Sequence, residues 1–144
     1  MGCDIHVRSE KLVNGKWVDM TDELPNYILE NRDYTVFTWL AGVRSRNYDI
    51  VPISKPRGLP SDISEKSMEY FSSWGSDIHS CSWLSIAELN MVDYNKIIEV
   101  PEININHYVL TQRSLGSLLG GHFLQDLSRL KEAGVNRIVF GFDN

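Results

Sequence analysis

The sequence predicts a single α+β domain spanning residues 1–144, in which a small mixed or antiparallel sheet is covered by three to four helices. Its 144 residues fit one domain, and an apolar share of 42% is enough for a core. Asn14-Gly15 separates two alternating stretches, which is the strongest short signal of a β-hairpin. The chain ends in an apolar, β-branched stretch at residues 137–142, which is typical of a buried strand. The N-terminal hairpin and this C-terminal strand form the predicted sheet.

The N-terminal hairpin is expected over roughly residues 3–20. Residues i and i+2 of a strand point to the same face, so the first strand has one polar and one more apolar set of side chains. Asp4 and His6 belong to the polar set and are expected side by side. Either set can face inward: Asp4, His6 and Arg8, or Ile5, Val7 and Ser9.

The first helix is expected over residues 34–43, after a loop at 21–31 that contains a short helical turn. Asp33 is suited to cap its N-terminus, and the apolar positions repeat with helical spacing. Arg44 and Arg46 follow the helix end, where cations complement the helix dipole. The alternative is that these arginines, with Arg32, flank a bound anion.

Residues 47–60 hold three prolines and predict an irregular loop, with a short edge strand at 50–53. Its stiff end presents Arg57, which suits contact with a ligand or a structural crossing. The second helix is expected to run to Trp74 and end at Gly75. It is capped by Asp62 with Glu65 or by Ser64, and its core-facing residues are Met68, Phe71 and Trp74.

A second Asp-Ile-His sequence, Asp77-Ile78-His79, is expected in a loop that enters a short strand. Ser85 and Glu88 form a capping box, so a third helix begins near Ile86 and ends by about Asp93. Residues 96–100 and, more weakly, 101–106 have strand character. The longest helix is expected over 111–133, with a kink at Gly120-Gly121.

Composition argues against several classes of partner. The formal charge is −5 without a basic block, which argues against binding of duplex DNA or RNA. No apolar run approaches the roughly 18 residues of a membrane span, and no signal peptide is recognisable. Two cysteines without a signal peptide predict free thiols and a cytoplasmic location. Self-association is compatible with the sequence.

Five stretches, spread over essentially the whole chain, form a distinctive set. They are Cys3-Asp4-Ile5-His6, Arg32 through Arg44, Pro56-Arg57-Gly58-Leu59-Pro60 with Asp62 and Ser64, Asp77 through Leu84, and Arg137 through Asn144. In these stretches the chain resembles a family of small bacteriophage and prophage proteins that carry no assigned function. The resemblance implies that the protein acts in the cytosol of a host cell. The family often has histidine where Cys81 stands, which argues against a metal-ligand role for this cysteine.

The first functional hypothesis is a site for a small phosphate-bearing ligand or nucleotide, by which a phage protein would sequester an immune signal of its host. Arginine pairs with phosphate oxygens, histidine and serine add hydrogen bonds, and aromatic rings stack on a base. Tyr34 and Trp74 are further candidates for stacking. The predicted ligand-binding residues are Asp4, His6, Arg44, Arg46, Tyr48, Arg57, Asp77, His79, Ser80, Ser82 and Trp83.

The second hypothesis is a phosphoesterase-like hydrolase in which His6, His79 and Asp4 act as acid, base and orienting groups. No standard hydrolase motif is present. A divalent metal is an optional cofactor, and a zinc set of Cys3, His6, His79 and Cys81 is disfavoured by strand geometry. The metal-ligand candidates are Asp4, His6, Asp77, His79 and Asp143.

Two further interpretations stay open. A protein-binding inhibitor of a host enzyme would fit the acidic charge and the aromatic residues. Each Asp–His pair can also be a buried hydrogen-bonded pair that only stabilises a sheet edge. The most specific prediction is that Asp4 and His6 share one face and meet His79.

Overall fold

The computed structural model describes residues 2–45, 50–104 and 107–144, and it confirms the α+β class. Four antiparallel strands form the main sheet in the order β2-β1-β6-β3, and two more form a separate antiparallel pair, β4-β5. The main sheet contains the predicted hairpin and the predicted C-terminal strand. The strands are β1 Asp4–Val13, β2 Lys16–Asp19, β3 Ile78–Ser85, β4 Ile97–Asn104, β5 His107–Ser114 and β6 Arg137–Asp143.

Five α-helices lie within the described ranges, and their caps follow the local chemistry of the sequence. The Asp33 carboxylate accepts from the N–H groups of Thr35 and Val36. Ser64, not Asp62, caps the second helix, and Ser85 forms the predicted capping box with Glu88. The helices are α1 Tyr34–Ala41, α2 Glu65–Trp74, α3 Ile86–Asn90, α4 Leu115–Leu119 and α5 Gly121–Glu132.

The main sheet has one apolar and one polar face. Ile5 and Val7 of β1 share the apolar face with Phe140 and Phe142 of β6, and these side chains belong to the main hydrophobic core. The opposite face carries His6 and Arg8 and is covered by α2, whose aromatic rings contact both side chains. The predicted alternation along β1 is therefore present, and the set that begins with Ile5 faces the core.

A buried ion pair connects the polar face to the segment that leads into α2. Glu10 of β1 lies opposite Arg137 of β6, and the Arg137 Nε donates to Glu10 Oε1 at 2.7 Å. Arg137 Nη1 also donates to Asp62 at 2.8 Å, while the second Glu10 oxygen accepts the backbone N–H of Ser64. Since Glu10 and Arg137 are 0% and 3% exposed, each requires the other as a partner.

Several predicted elements differ from the observed ones. Residues 111–114 belong to β5, and the predicted long helix is interrupted at Gly120, whose φ is +89°. The edge strand predicted at 50–53 is not formed, and Met68, predicted to face the core, is 42% exposed. The loop and short strand predicted around His79 are instead one strand over residues 78–85. No helix in the described ranges is long and apolar enough to cross a bilayer.

Candidate functional site

Several predicted site residues lie at one end of the main sheet: Asp4, His6, Arg44, His79, Ser80 and Asp143. We use "sheet end" for residues 3–6, 78–80 and 142–144, where β1 and β3 begin and β6 ends. Asp4 lies opposite Asp143 across the β1–β6 pair, and Asp143 lies opposite Ile78 across the β6–β3 pair. Arg32, which precedes α1 in the chain, contacts Asp4 at this end, and Arg44, which follows α1, contacts Asn144. The sheet end therefore combines acidic, basic and imidazole groups from distant parts of the chain.

His6 is held on the polar face by a carboxylate and two aromatic residues. Its Nε2 lies 2.9 Å from Asp143 Oδ2, and its Nδ1 lies 3.5 Å from the Tyr70 hydroxyl. The Trp74 ring packs on the imidazole with 4.0 Å between ring centroids. Burial raises the pKa of Tyr70. With 16% of its side chain exposed, His6 is oriented by these neighbours and still reaches solvent.

Asp4 shares the face of His6, but its carboxylate binds Arg32. Arg32 Nε and Nη2 both donate to Asp4 at 2.8 Å, a bidentate pair. These hydrogen bonds hold the pKa of Asp4 below its ordinary value. The backbone N–H of Asp4 donates to Asp143 Oδ1, and Asp143 Oδ2 contacts His6, so Asp143 of β6, rather than Asp4, is the carboxylate partner of His6.

A β-bulge directs His79 to the apolar face of the sheet. Residues 80 and 81 both lie opposite Gly141, and Ser80 adopts a φ of +53°. His79 lies opposite Phe142, and the His79 imidazole packs next to the Phe142 ring. His79 Nδ1 lies 3.0 Å from Ser80 Oγ, whereas His79 Nε2 is buried and forms no hydrogen bond with any described residue. The prediction that His79 meets His6 is wrong, because Gly141 and Phe142 point to opposite faces.

Arg44 lies at the sheet end on the same side as Cys3, a buried member of the apolar core. Its guanidinium donates to Asn144 Oδ1 at 3.4 Å and lies 5.6 Å from the centroid of the Tyr34 ring. Burial raises the pKa of the Cys3 thiol, and the hydrogen bond with Arg44 partly opposes this shift. Arg44 therefore places positive charge at the sheet end, next to Cys3 and Asn144.

Arg57, Ser82 and Trp83 form a separate structural cluster. Arg57 donates two hydrogen bonds to Glu88, which hold the pKa of Glu88 below its ordinary value. The Arg57 backbone N–H donates to Ser82 Oγ, and its guanidinium stacks on the Trp83 ring at 4.7 Å. These contacts fasten the proline-rich loop to β3. They favour a structural role for Arg57, Ser82 and Trp83, which is the alternative to the predicted ligand contacts.

The metal-ligand candidates are divided between the two faces. His6 and Cys81 lie on the polar face, where Cys81 packs against Gly141, while Cys3 and His79 lie on the apolar face. Asp77 is exposed in a 3-10 turn at residues 75–77. Among the described residues, no three His, Cys, Asp or Glu side chains are grouped to hold a metal ion. Arg46 and Tyr48 lie outside the described residues.

Sequence reasoning missed Tyr70, and it gave Trp74 a core or base-stacking role rather than the contact with His6. Tyr70 and Trp74 are four residues apart on α2 and therefore share one helix face. That spacing was visible, but the hydrophobic pattern pointed to a core role for Trp74. The partner of His6 is Asp143, 137 residues away, and only the β1–β6 register identifies it.

Comparison with known proteins gives no family for this chain. No protein-family model, no curated protein and no solved structure matches it. The function is therefore argued from the residues at the sheet end.

Proposed function

We propose that the protein binds a small phosphate-bearing ligand at the sheet end, on the side of Arg44 and His79. The observation that carries this proposal is the buried His79 Nε2, which has no hydrogen-bond partner in the part of the chain that the structure describes. An unsatisfied buried polar atom costs about 1–3 kcal/mol, so it marks a position where a ligand atom would be stabilising.

The neighbouring groups favour an anionic ligand. Arg44 supplies a guanidinium, which forms paired hydrogen bonds with phosphate oxygens. Ser80 holds the other imidazole nitrogen and adds a hydroxyl group. When the imidazole presents an N–H at Nε2, a phosphate oxygen would accept from both His79 and Arg44.

The acidic residues of the sheet end are already partnered. Asp4 forms its bidentate pair with Arg32, and Asp143 accepts from His6 and from the Asp4 backbone. Their charge therefore opposes an incoming anion less than two unpaired carboxylates would. Among the predicted stacking residues, Trp74 packs on His6 and Trp83 on Arg57. The Tyr34 ring contacts Arg44 and Phe37, so its stacking on a base would build on the existing contact with Arg44.

The resemblance to bacteriophage proteins extends the proposal to a biological role. A nucleotide that signals infection in the host cell is a phosphate-bearing ligand with a base that can stack. Binding without turnover would lower its free concentration, which is counter-defence by sequestration. This step depends on the resemblance and on the ligand class together.

Calorimetry with a panel of cyclic and linear nucleotides, and with inorganic phosphate, tests the proposal. We expect a nucleotide to bind, and Arg44→Ala and His79→Ala to weaken binding at least tenfold, since each removes a charged or buried hydrogen bond. Arg113→Ala is the matched control, because Arg113 is exposed, lies away from the sheet end, and donates its hydrogen bonds to Ser117. Absence of binding across the panel would sink the proposal.

A phosphoesterase-like hydrolase is the second candidate, favoured by the contact between Asp143 and His6. A carboxylate that orients an imidazole is the arrangement used in general acid–base catalysis. Turnover of a phosphodiester that is lost in both His6→Ala and Asp143→Asn, and retained in His79→Ala, would assign the protein to this class. Binding that depends on His79, without turnover, would assign it to the first.

A further inference from the structure

The β4–β5 hairpin forms a sheet of its own, separate from the main sheet. In the part of the chain that the structure describes, its two strands pair only with each other. Two-stranded hairpins are marginally stable in water, and further strands stabilise them. The hairpin also carries exposed apolar side chains, since Ile97, Val109 and Leu110 are 58%, 47% and 53% exposed. These are the properties of a surface that pairs with another strand.

The hydrogen bonds at the base of the hairpin determine which backbone groups point outward. The Leu115 N–H donates to the Lys96 carbonyl oxygen at 2.8 Å, so these two residues form a hydrogen-bonded antiparallel pair. Along an antiparallel ladder such pairs alternate with pairs whose N–H and C=O groups point away from the partner strand. The outward-pointing pairs include Glu99 with Gln112 and Pro101 with Leu110.

Proline makes the two outer edges of the hairpin unequal. Pro101 lies on the outer edge of β4 and has no N–H group, so a strand added there would lack a hydrogen bond. On the outer edge of β5, Leu110 and Gln112 each present an N–H and a C=O that bond to no described residue. The hairpin therefore has one edge that is fully able to pair, and this edge lies along β5.

A single pairing edge favours a second copy of the chain as its occupant. Two β5 strands can pair antiparallel across a twofold axis, which places the two β4 strands at the outside of the combined sheet. Pro101 then opposes the addition of further strands, so the assembly ends at two copies instead of growing into a fibre. A register centred on Thr111 places Leu110 opposite Gln112 of the second copy and pairs the outward groups of both residues.

We propose that two copies of the chain associate through β5 into one four-stranded antiparallel sheet. Main-chain hydrogen bonds connect the copies, and Val109 and Leu110 lose exposed apolar surface. One strand pair buries less than the roughly 1,200–2,000 Å² of a stable interface, so the dimer is weak. Its residues are separate from those of the sheet end, and the inference does not depend on the proposed ligand.

Sedimentation velocity of the full chain from about 10 µM to about 1 mM measures the association. We expect a monomer that converts to a dimer as the concentration rises. Gln112→Pro removes an outward N–H and leaves the ladder to β4 intact. It should weaken the dimer at least about tenfold, because the twofold axis makes the loss occur twice. Glu99→Pro is the matched control, because Glu99 lies opposite Gln112 on the edge that already contains Pro101, and it should leave the association unchanged.

Val109→Lys tests the register at an exposed side chain and covers the case in which proline disturbs the hairpin. In the proposed register Val109 lies opposite Arg113 of the second copy, so two like charges would face each other and weaken the dimer about threefold or more. Adding Arg113→Glu makes the facing charges opposite and should restore the association. The inference would be overturned by a monomer at every concentration, by growth beyond the dimer, by equal effects of the two proline variants, or by an association that Val109→Lys does not change.

Discussion

His6 and His79 lie on opposite faces of the four-stranded sheet. His6 is opposite Gly141 and His79 is opposite Phe142, so neighbouring residues of β6 carry them to different sides. Their environments differ accordingly. His6 contacts Asp143, Tyr70 and Trp74 under α2. His79 packs beside Phe142, and its Nε2 has no hydrogen-bond partner among the described residues. The two Asp-Ile-His sequences therefore do not form one symmetrical site.

This separation predicts that the two histidines contribute independently to stability. The free-energy changes of His6→Ala and His79→Ala should add within about 0.5 kcal/mol in the double variant, as expected for side chains without shared partners. His6→Ala and Asp143→Ala should instead show a coupling of about 0.5–3 kcal/mol, because these side chains contact each other. Urea unfolding of the six proteins measures both cycles. A coupling above about 1 kcal/mol between the histidines would contradict the assignment to opposite faces.

Because Glu10 and Arg137 form a buried pair, removing one of the two charges should destabilise the protein more than removing both. Arg137→Met should lower the free energy of unfolding by about 3–5 kcal/mol, because it leaves the buried Glu10 carboxylate without its cation. Glu10→Gln combined with Arg137→Met should be more stable than Arg137→Met alone, since no buried charge remains while an amide oxygen can still accept from Ser64.

Exposed Arg113 provides the control for this prediction. Arg113→Met should change the free energy of unfolding by less than about 0.5 kcal/mol, as is usual for surface positions. Urea unfolding near neutral pH compares the variants. A double variant that is no more stable than Arg137→Met would show that the uncompensated charge is not the main penalty.

Asp19 predicts part of the loss of stability in acid. Burial works to raise the pKa of its carboxyl, but hydrogen bonds from Arg8, Thr21 and Ser67 outweigh burial and hold the pKa below its ordinary 3.8. As the pH falls, the Asp19 carboxylate is therefore protonated in the unfolded chain before it is protonated in the folded protein. The stabilisation is complete above about pH 3.8 and is lost as the pH falls through the lower pKa of the folded state.

Asp19→Asn should accordingly be less stable than the wild type near neutral pH, and the difference should shrink as the pH falls below 3.8. The measurement is the free energy of unfolding by urea across the acid range for both proteins. A difference that stays constant over this range would show that the Asp19 charge contributes no pH dependence.

Elements governed by neighbouring residues could be predicted from the sequence. Asn14-Gly15 identifies the hairpin because both residues adopt positive φ, and Ser85 with Glu88 begins α3 through a reciprocal cap. Alternation along β1 likewise identifies its polar face. Each of these signals depends on residues within a few positions of one another.

The arrangement of the site depends on contacts that local patterns do not contain. The bulge at Ser80 changes the face on which β3 places the following residues, and its position is defined only by pairing with β6. The partners of His6 and Asp4 are Asp143 and Arg32, which are far away in sequence. Residues 111–114 join β5 because they pair with β4, although the leucines that follow them predict a helix.

The interruption between α4 and α5 at Gly120 gives the last prediction. Gly120 adopts φ +89° and ψ 159°, a conformation essentially restricted to glycine, and this ends α4 instead of kinking one continuous helix. A Cβ added to Gly120 would meet no atom within 4 Å, so the effect of alanine there is confined to the backbone. Gly120→Ala should lower the free energy of unfolding by about 1–3 kcal/mol.

Gly121 is the matched control, because it is the first residue of α5 and a Cβ there would also meet no atom within 4 Å. Gly121→Ala should be neutral or stabilise the protein by up to about 1 kcal/mol, since alanine favours helix formation. Thermal or urea unfolding of the two variants compares adjacent residues that differ in backbone conformation. Equal effects at both positions would show that the helix break does not require glycine, and α4 and α5 would then be expected to join in the Gly120→Ala variant.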